Sequence, residues 1–171
     1  MLRDALADAH RSLERTIVDL DQDGLDWAPP GTANPIGATF AHLVVSEDMV
    51  ANAILAGREP LLRTTFAGRT GLSEPMPMPG PDWEGYGRWA RRVRVDKPML
   101  LEYAHATWRM SEAFVAGLAP SDLDRDVDLG FLGRGHVTLG LAVLRMLCMH
   151  VDQITGEIAC LKGLQDRGGY G

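Results

Sequence analysis

The chain of 171 residues is 46% hydrophobic and 23% charged, proportions typical of one globular domain with its own core. Its formal charge of −6 argues against a general affinity for the backbone of DNA or RNA, and no run of apolar residues approaches the ~18 that a membrane span requires. The start, MLRDALADAHRSLER, mixes charged and apolar side chains, which is not the pattern of a signal peptide. We therefore expect a single cytoplasmic domain over residues 1–171 that binds neither nucleic acid nor membranes.

Two amphipathic helices are predicted before residue 57. The first has apolar residues at three- and four-residue steps between residues 2 and 20 and is expected to end near Asp23-Gly24. After the turn WAPPGTANP, Asn34 is expected to cap a second helix that begins at Pro35 and runs to about Ala56. This second helix is apolar along two neighbouring stripes, one of which is interrupted by Glu47, so we expect it to be buried over much of its circumference.

Residues 57–81 form a long connection that is dense in glycine and proline. A loop of this length inside a compact domain is usually a functional cover or a partner surface. Short helices are predicted within and after it, at about residues 61–66 and 83–95.

Two more long helices complete the predicted fold. The third is expected to begin near Asp96-Lys97-Pro98, where a capping residue is followed closely by proline, and to end at Pro120. The acidic, glycine-rich linker SDLDRDVDLGFLGRGH follows. The fourth, about Val137–Leu164, is the most apolar, and its seam keeps a 3-4-3-4-3 spacing: Leu144, Leu147, Val151, Ile154, Ile158 and Leu161. Because no strand pattern is longer than a few residues, the sequence predicts an all-α four-helix bundle with a long loop between its second and third helices.

Both cysteines, Cys148 and Cys160, fall in the predicted fourth helix. Twelve residues at a rise of ~1.5 Å separate them by ~18 Å, far beyond the reach of a disulfide. We expect two free thiols that behave as small, buried, apolar side chains.

Histidine is the residue type that points most clearly to chemistry in this sequence. His42 and His150 lie in the middle of helices on faces that are otherwise apolar, where an imidazole needs a hydrogen-bond partner or a metal ion. A hydroxyl, a carboxylate or water would satisfy both rings equally well. The other three histidines are expected to be structural: His10 at a half-buried helix edge, His105 on the inward edge of the third helix, and His136 as a cap of the fourth.

Two stretches resemble a known family. The segment LDWAPPGTANPIGATFAHLVVSED has a tryptophan–proline turn leading into a helix with a histidine, and HVDQITGEIACLKGL has a Gly-Glu-Ile triplet after its histidine. In this order, with the long connection and the DLDRDV linker between them, they resemble the DinB-like superfamily of four-helix bundles. The resemblance implies a homodimer and a divalent metal, zinc or nickel, held by three histidines. As activities it implies metal-dependent hydrolysis, S-transfer of bacillithiol or mycothiol, or mycothiol-dependent isomerisation of maleylpyruvate.

The metal ligands that the family implies transfer only in part to this chain. The first histidine corresponds to His42 and the second to His150, but the third falls on Ile154, which cannot bind a metal. A catalytic zinc ion requires three protein ligands and one open position. By charge, Glu47 or Glu157 is the candidate to replace the missing ligand.

Three functions stay open from the sequence. The first is a metal-independent protein that binds a small molecule or a thiol adduct at the former metal site. The second is a thiol S-transferase or hydrolase in which His42, His150 and a carboxylate hold a metal that lowers the pKa of a bound water or thiol. The third is a dimeric structural module without a site. We place the first slightly ahead, because Ile154 removes a ligand and extends the apolar core.

Overall fold

The computed structural model describes residues 1–77 and 84–170, most of which are helical. Four long helices dominate: α1 (Leu2–Ile17), α3 (Ile36–Asp48), α5 (Lys97–Ala116) and α7 (Met149–Gly163), with the short α2 (Gln22–Asp26) between the first two. Helix α1 packs against α5 and α7, and α3 packs against the same two helices, so that the four enclose one apolar core. The predicted all-α class is confirmed, but α1 ends at Ile17 rather than near Asp23-Gly24, where the separate helix α2 lies. Within the described ranges, no helix has the length and apolarity needed to cross a bilayer.

The predicted capping residue is found at the start of α5 but not at the start of α3. Asp96 accepts a hydrogen bond of 2.9 Å from the Met99 amide and thereby caps α5. At α3, Pro35 occupies the capping position and Ile36 is the first helical residue, without a side-chain cap. Asn34, expected as the cap, instead lines the site described below.

Two π-helical segments, which the sequence does not predict, extend the second and fourth long helices. Helix α3 continues as Met49–Leu55, and Leu144–Cys148 joins the short α6 (Leu139–Val143) to α7. The two segments pack against each other. A π turn holds more residues than an α turn, so it rotates the side chains around it, and such turns are frequent at functional sites. As a result Leu144, predicted within the buried seam, is 39% exposed, whereas the rest of the seam is buried.

Asp48, a buried residue at the end of α3, anchors the long connection. Its carboxylate accepts hydrogen bonds of 2.9 Å from the backbone amides of Leu61 and Leu62. The Tyr103 hydroxyl donates a third, of 2.6 Å, from α5. One carboxylate therefore ties the start of the connection to two of the long helices.

Among the described residues, one short helical element lies within this connection and another follows it. The first is a 3-10 turn at Leu61–Arg63, shorter than the predicted helix over 61–66. The second is α4 (Glu84–Ala90), which ends before the predicted limit at residue 95. The predicted start of this helix at residue 83 lies outside the described residues.

A small antiparallel hairpin lies in the linker before the last helix, where the sequence predicts no strand. Its strands are β1 (Asp126–Asp128) and β2 (His136–Thr138). Gly133 and Gly135 adopt positive φ in the turn between the strands, a conformation that favours glycine. Because β2 pairs with β1, the last helix begins at Leu139, two residues later than predicted.

The two cysteines have different environments. Cys148 is buried as predicted, whereas Cys160 is exposed, which corrects the expectation that both are buried. Cys160 follows the buried Ile158 by two residues, and a helical step of two positions points a side chain to the opposite face. Both thiols are free.

Replacing Leu147 with alanine should lower the free energy of unfolding by roughly 2–5 kcal/mol. Leu147 is 0% exposed, so the substitution leaves a cavity that its neighbours fill only in part. The matched control is Leu144→Ala on the same π segment, for which we expect a loss under about 1 kcal/mol because the side chain is already at the surface. Urea denaturation measures the loss of unfolding free energy in both variants. Equal losses would contradict the orientation of this segment, in which Leu147 faces the core and Leu144 the surface.

Candidate functional site

The two histidines predicted as metal ligands, His42 and His150, lie side by side. Helix α3 carries His42 near its middle, and His150 is the second residue of α7, directly after a π segment. Their ring centroids are 5.4 Å apart and their planes are nearly perpendicular, at 87°. The ring of Tyr86, on α4, also packs against His42, with centroids 5.2 Å apart. Three residues that are distant in sequence thus form a row of three rings.

His42 lies in a cleft of about 310 Å³, which we call the His42 cleft. Six of the described residues, from four parts of the chain, line it: Asn34, Thr39, His42, Tyr86, Ile154 and Glu157. Ile154, 9% exposed, provides an apolar wall, and Glu157 lies exposed at the rim. Sequence reasoning missed Asn34, which it assigned to a cap, and Tyr86, which stands in a short helix without a recognisable motif.

Both imidazoles are neutral at pH 7. Burial lowers the pKa of His42 to about 4, and the charge of His150 acts in the same direction. Burial also lowers the pKa of His150, an effect that the Glu47 carboxylate opposes and Arg134 reinforces. A neutral imidazole offers one donor and one acceptor nitrogen. Nδ1 of His42 is 3.4 Å from the hydroxyl oxygen of Ser46.

Glu157 brings a carboxylate to the rim of the His42 cleft. Partial burial raises the pKa of Glu157, and the nearby Thr39 hydroxyl opposes that shift. Burial, together with the charge of Glu157, raises the pKa of the Tyr86 hydroxyl, so the phenol is protonated at neutral pH. Among the described residues, no lysine, arginine or histidine forms an ion pair with Glu157.

Glu47, the other candidate ligand, belongs to a separate buried network. Its Oε1 lies 3.0 Å from Nε2 of His10, and it also accepts a hydrogen bond from the Ser111 hydroxyl. Nδ1 of His10 is 2.7 Å from the Glu112 carboxylate, and the ring stacks on Trp108. His10 is 3% exposed, so the expectation of a half-buried edge is wrong. The network joins three helices of the core, α1, α3 and α5, through one imidazole and two carboxylates.

Both ring nitrogens of His10 face carboxylate oxygens, which is the arrangement of a charged imidazolium. Burial by itself lowers the pKa of His10, but the hydrogen bonds and charges of Glu47 and Glu112 outweigh it and leave the pKa raised. The sequence held two separate signs of this network. Glu47 interrupts an apolar stripe of α3, and His10 borders the apolar stripe of α1, but nothing in the sequence pairs them.

The two remaining histidines lie at the surface. Nε2 of His105 is 2.8 Å from Glu14, which corrects the predicted inward position. The buried face of α5 runs through the residue just before it, so His105 falls on the flank. His136 belongs to β2 and pairs with Asp126 at 2.6 Å, while Thr138 makes the capping bond that His136 was expected to make.

The side chains that the structure describes do not form a three-ligand metal centre. Among the described residues, no three histidine, cysteine, aspartate or glutamate side chains converge closely enough to hold a metal ion. His42 and His150 supply two imidazoles, and the third position holds the aliphatic Ile154. Glu47 is engaged by His10, and Glu157 lies at the rim. A catalytic zinc ion requires one protein ligand more than this pair of imidazoles.

Comparison with known proteins agrees with this architecture. The fold is similar to that of a conserved protein from Enterococcus faecalis of known crystal structure, with a TM-score of 0.73, 19% sequence identity and 95% of each chain covered. At this identity the similarity shows the fold alone. No curated protein matches the chain significantly. The sequence profile of the DinB superfamily matches residues 5–154, well over half of the chain, and the chain therefore belongs to the DinB superfamily.

Proposed function

We propose that this chain is a DinB-like four-helix bundle that binds a small molecule in the His42 cleft without a metal ion. The observation that supports the proposal most is Ile154. The family resemblance places the third metal histidine at this position, and here it carries an aliphatic side chain that lines the cleft. Two imidazoles from separate helices hold a metal weakly without a third donor.

The composition of the cleft suits an organic ligand. Small-molecule sites are concave and largely apolar, with a few polar groups that fix the orientation of the ligand. Ile154 and the Tyr86 ring supply apolar surface, while Asn34, Thr39 and the neutral His42 supply hydrogen-bonding groups. A volume of about 310 Å³ is at the lower end of the usual range for such sites. Thiol adducts belong among the ligands to test, because the family resemblance implies thiol chemistry.

The position of Glu157 in the cleft supports one alternative function. Its side chain lines the same cleft as His42, so a rotation of its carboxylate toward the two imidazoles would bring a third donor to a metal ion. The protein would then be a metal-dependent thiol S-transferase or hydrolase. Calorimetric titration of the metal-free protein with zinc distinguishes the two functions. Tight binding of one zinc ion per chain would place the alternative first.

Filling the cleft tests the proposed function directly. The metal-free protein is screened by ligand-detected NMR against small aromatic compounds that are cationic, neutral or anionic, together with S-substituted cysteine derivatives. We expect at least one class to bind and Ile154→Trp to weaken that binding at least about tenfold, because the indole occupies the cleft. Met149→Trp is the matched control, since residue 149 is 44% exposed on the same helix and outside the cleft.

Two results would contradict the proposal. If no compound binds the wild-type protein, the cleft is not a binding site for molecules of this size. If Ile154→Trp and Met149→Trp bind equally well, the compounds bind elsewhere. Thermal melts of both variants confirm that each is folded before binding is compared.

A further inference from the structure

The charge of the His42 cleft indicates which class of ligand it selects. We propose that the cleft binds a small organic ammonium ion, held between the Glu157 carboxylate at the rim and the Tyr86 and His42 rings. This inference rests on the proposed function and adds the class of ligand to it. Its three supports are a carboxylate with no ion-pair partner among the described residues, the row of rings, and the lack of lysine or arginine among the described residues that line the cleft.

The first support is Glu157 itself. Its carboxylate lines the cleft, and within the described ranges it has no ion-pair partner, although eleven other ion pairs, one of them with the N-terminus, are present there. A carboxylate that is partly removed from water gains from a cationic partner. A ligand cation at the rim would supply that partner.

The second support is the arrangement of the rings. Tyr86 and His42 lie 5.2 Å apart at 66°, and His150 continues the row at 87° to His42. Tyr86 and His42 both line the cleft, and the face of a tyrosine ring attracts an ammonium group.

The third support is the charge of the other side chains that line the cleft. The other residues that line the cleft, Asn34, Thr39 and Ile154, are neutral. Arg134 acts on the pKa of His150, but it does not line the cleft. Glu157 is therefore the charged side chain of the described lining, and an anionic ligand would meet a carboxylate with no cation to offset it.

Three probes of one shape but different charge test the proposal. Phenethylammonium, 2-phenylethanol and 3-phenylpropionate share the same ring and differ in the terminal group. We expect the ammonium probe to bind the metal-free protein at least about tenfold more tightly than the other two, and to bind more weakly as salt is raised. Glu157→Gln should weaken the ammonium probe at least about fivefold and leave 2-phenylethanol unchanged. Asp152→Asn, an exposed carboxylate on the same helix outside the cleft, should change neither.

Several results would overturn the proposal. The alcohol or the carboxylate could bind as tightly as the ammonium probe, or Glu157→Gln could have no effect. In both cases the proposed function stands, provided that Ile154→Trp still removes binding. If the wild-type protein binds zinc and Glu157→Gln does not, the cation that Glu157 binds is a metal ion. That result would also overturn the proposal. The proposed function itself fails if no compound of any charge binds in the cleft, or if the wild-type protein binds one zinc ion per chain tightly.

Discussion

Ile154→His is expected to bind one zinc or nickel ion per chain at least about 100-fold more tightly than the wild-type protein. Residue 154 lies one helical turn after His150, and its side chain lines the cleft that contains His42. The ring centroids of His42 and His150 are already 5.4 Å apart, so the new imidazole would join a pair that is in place. A catalytic zinc site has three protein ligands and one open position, and Ile154 occupies the place of the third ligand. Calorimetric titration with zinc measures the gain.

The control for this variant adds a histidine elsewhere on the same helix. Met149→His places it at an exposed position, where it should not increase affinity for zinc. The metal-free Ile154→His protein should also lose some stability, because a polar ring replaces a mostly buried aliphatic side chain. If neither the wild-type protein nor Ile154→His binds zinc, the family's metal site does not transfer to these residues. Tight binding by the wild-type protein would instead show that a carboxylate already completes the site.

His10→Ala is expected to lower the free energy of unfolding by about 3–5 kcal/mol. Glu47 is 1% exposed, and its partners are His10 and the Ser111 hydroxyl. Removing the imidazole leaves a buried carboxylate without a cation, and the cost of that charge is larger than the value of the lost contact. Urea denaturation at pH 6 measures the loss. Adding Glu47→Gln to His10→Ala should restore part of it, because the unpaired charge is removed.

The stability supplied by His10 should depend on pH. The Glu47 and Glu112 carboxylates outweigh burial and raise the pKa of His10 in the folded protein above its ordinary value of 6.5. The folded state therefore holds the proton more tightly than the unfolded state. The contribution is complete below pH 6.5 and is lost as the pH rises through the folded pKa. His136 also has a raised pKa, from its hydrogen bond and charge interaction with Asp126, but both proteins retain it.

The comparison between the wild-type protein and His10→Ala isolates the pH dependence of this one group. The difference in unfolding free energy between the two proteins should shrink from pH 6 toward pH 9. A difference that stays constant over this range would mean that His10 is not charged in the folded protein. The carboxylate network would then be held by neutral hydrogen bonds.

The candidate site was partly predictable from the sequence. His42 and His150 stand out because each places an imidazole on an apolar helix face, and the family resemblance pairs them. Their proximity in the structure agrees with that pairing. The roles of Glu47 and Glu157 were not distinguishable in the same way. Both are carboxylates near apolar positions, and only the packing sends Glu47 to His10 and leaves Glu157 at the rim of the cleft.

The amino-acid sequence by itself determined the helices of this protein and most of their limits. Apolar periodicity, prolines and caps act over a few residues, so Asp96 and the seam around Val151 are readable without a structure. Only the tertiary structure decided the two π segments, the exposure of Leu144 and the partners of the buried polar groups. Glu47 and His10 are 37 residues apart, and their contact depends on how two helices are rotated against each other. That rotation is set by the packing of the whole core, which no local pattern in the sequence records.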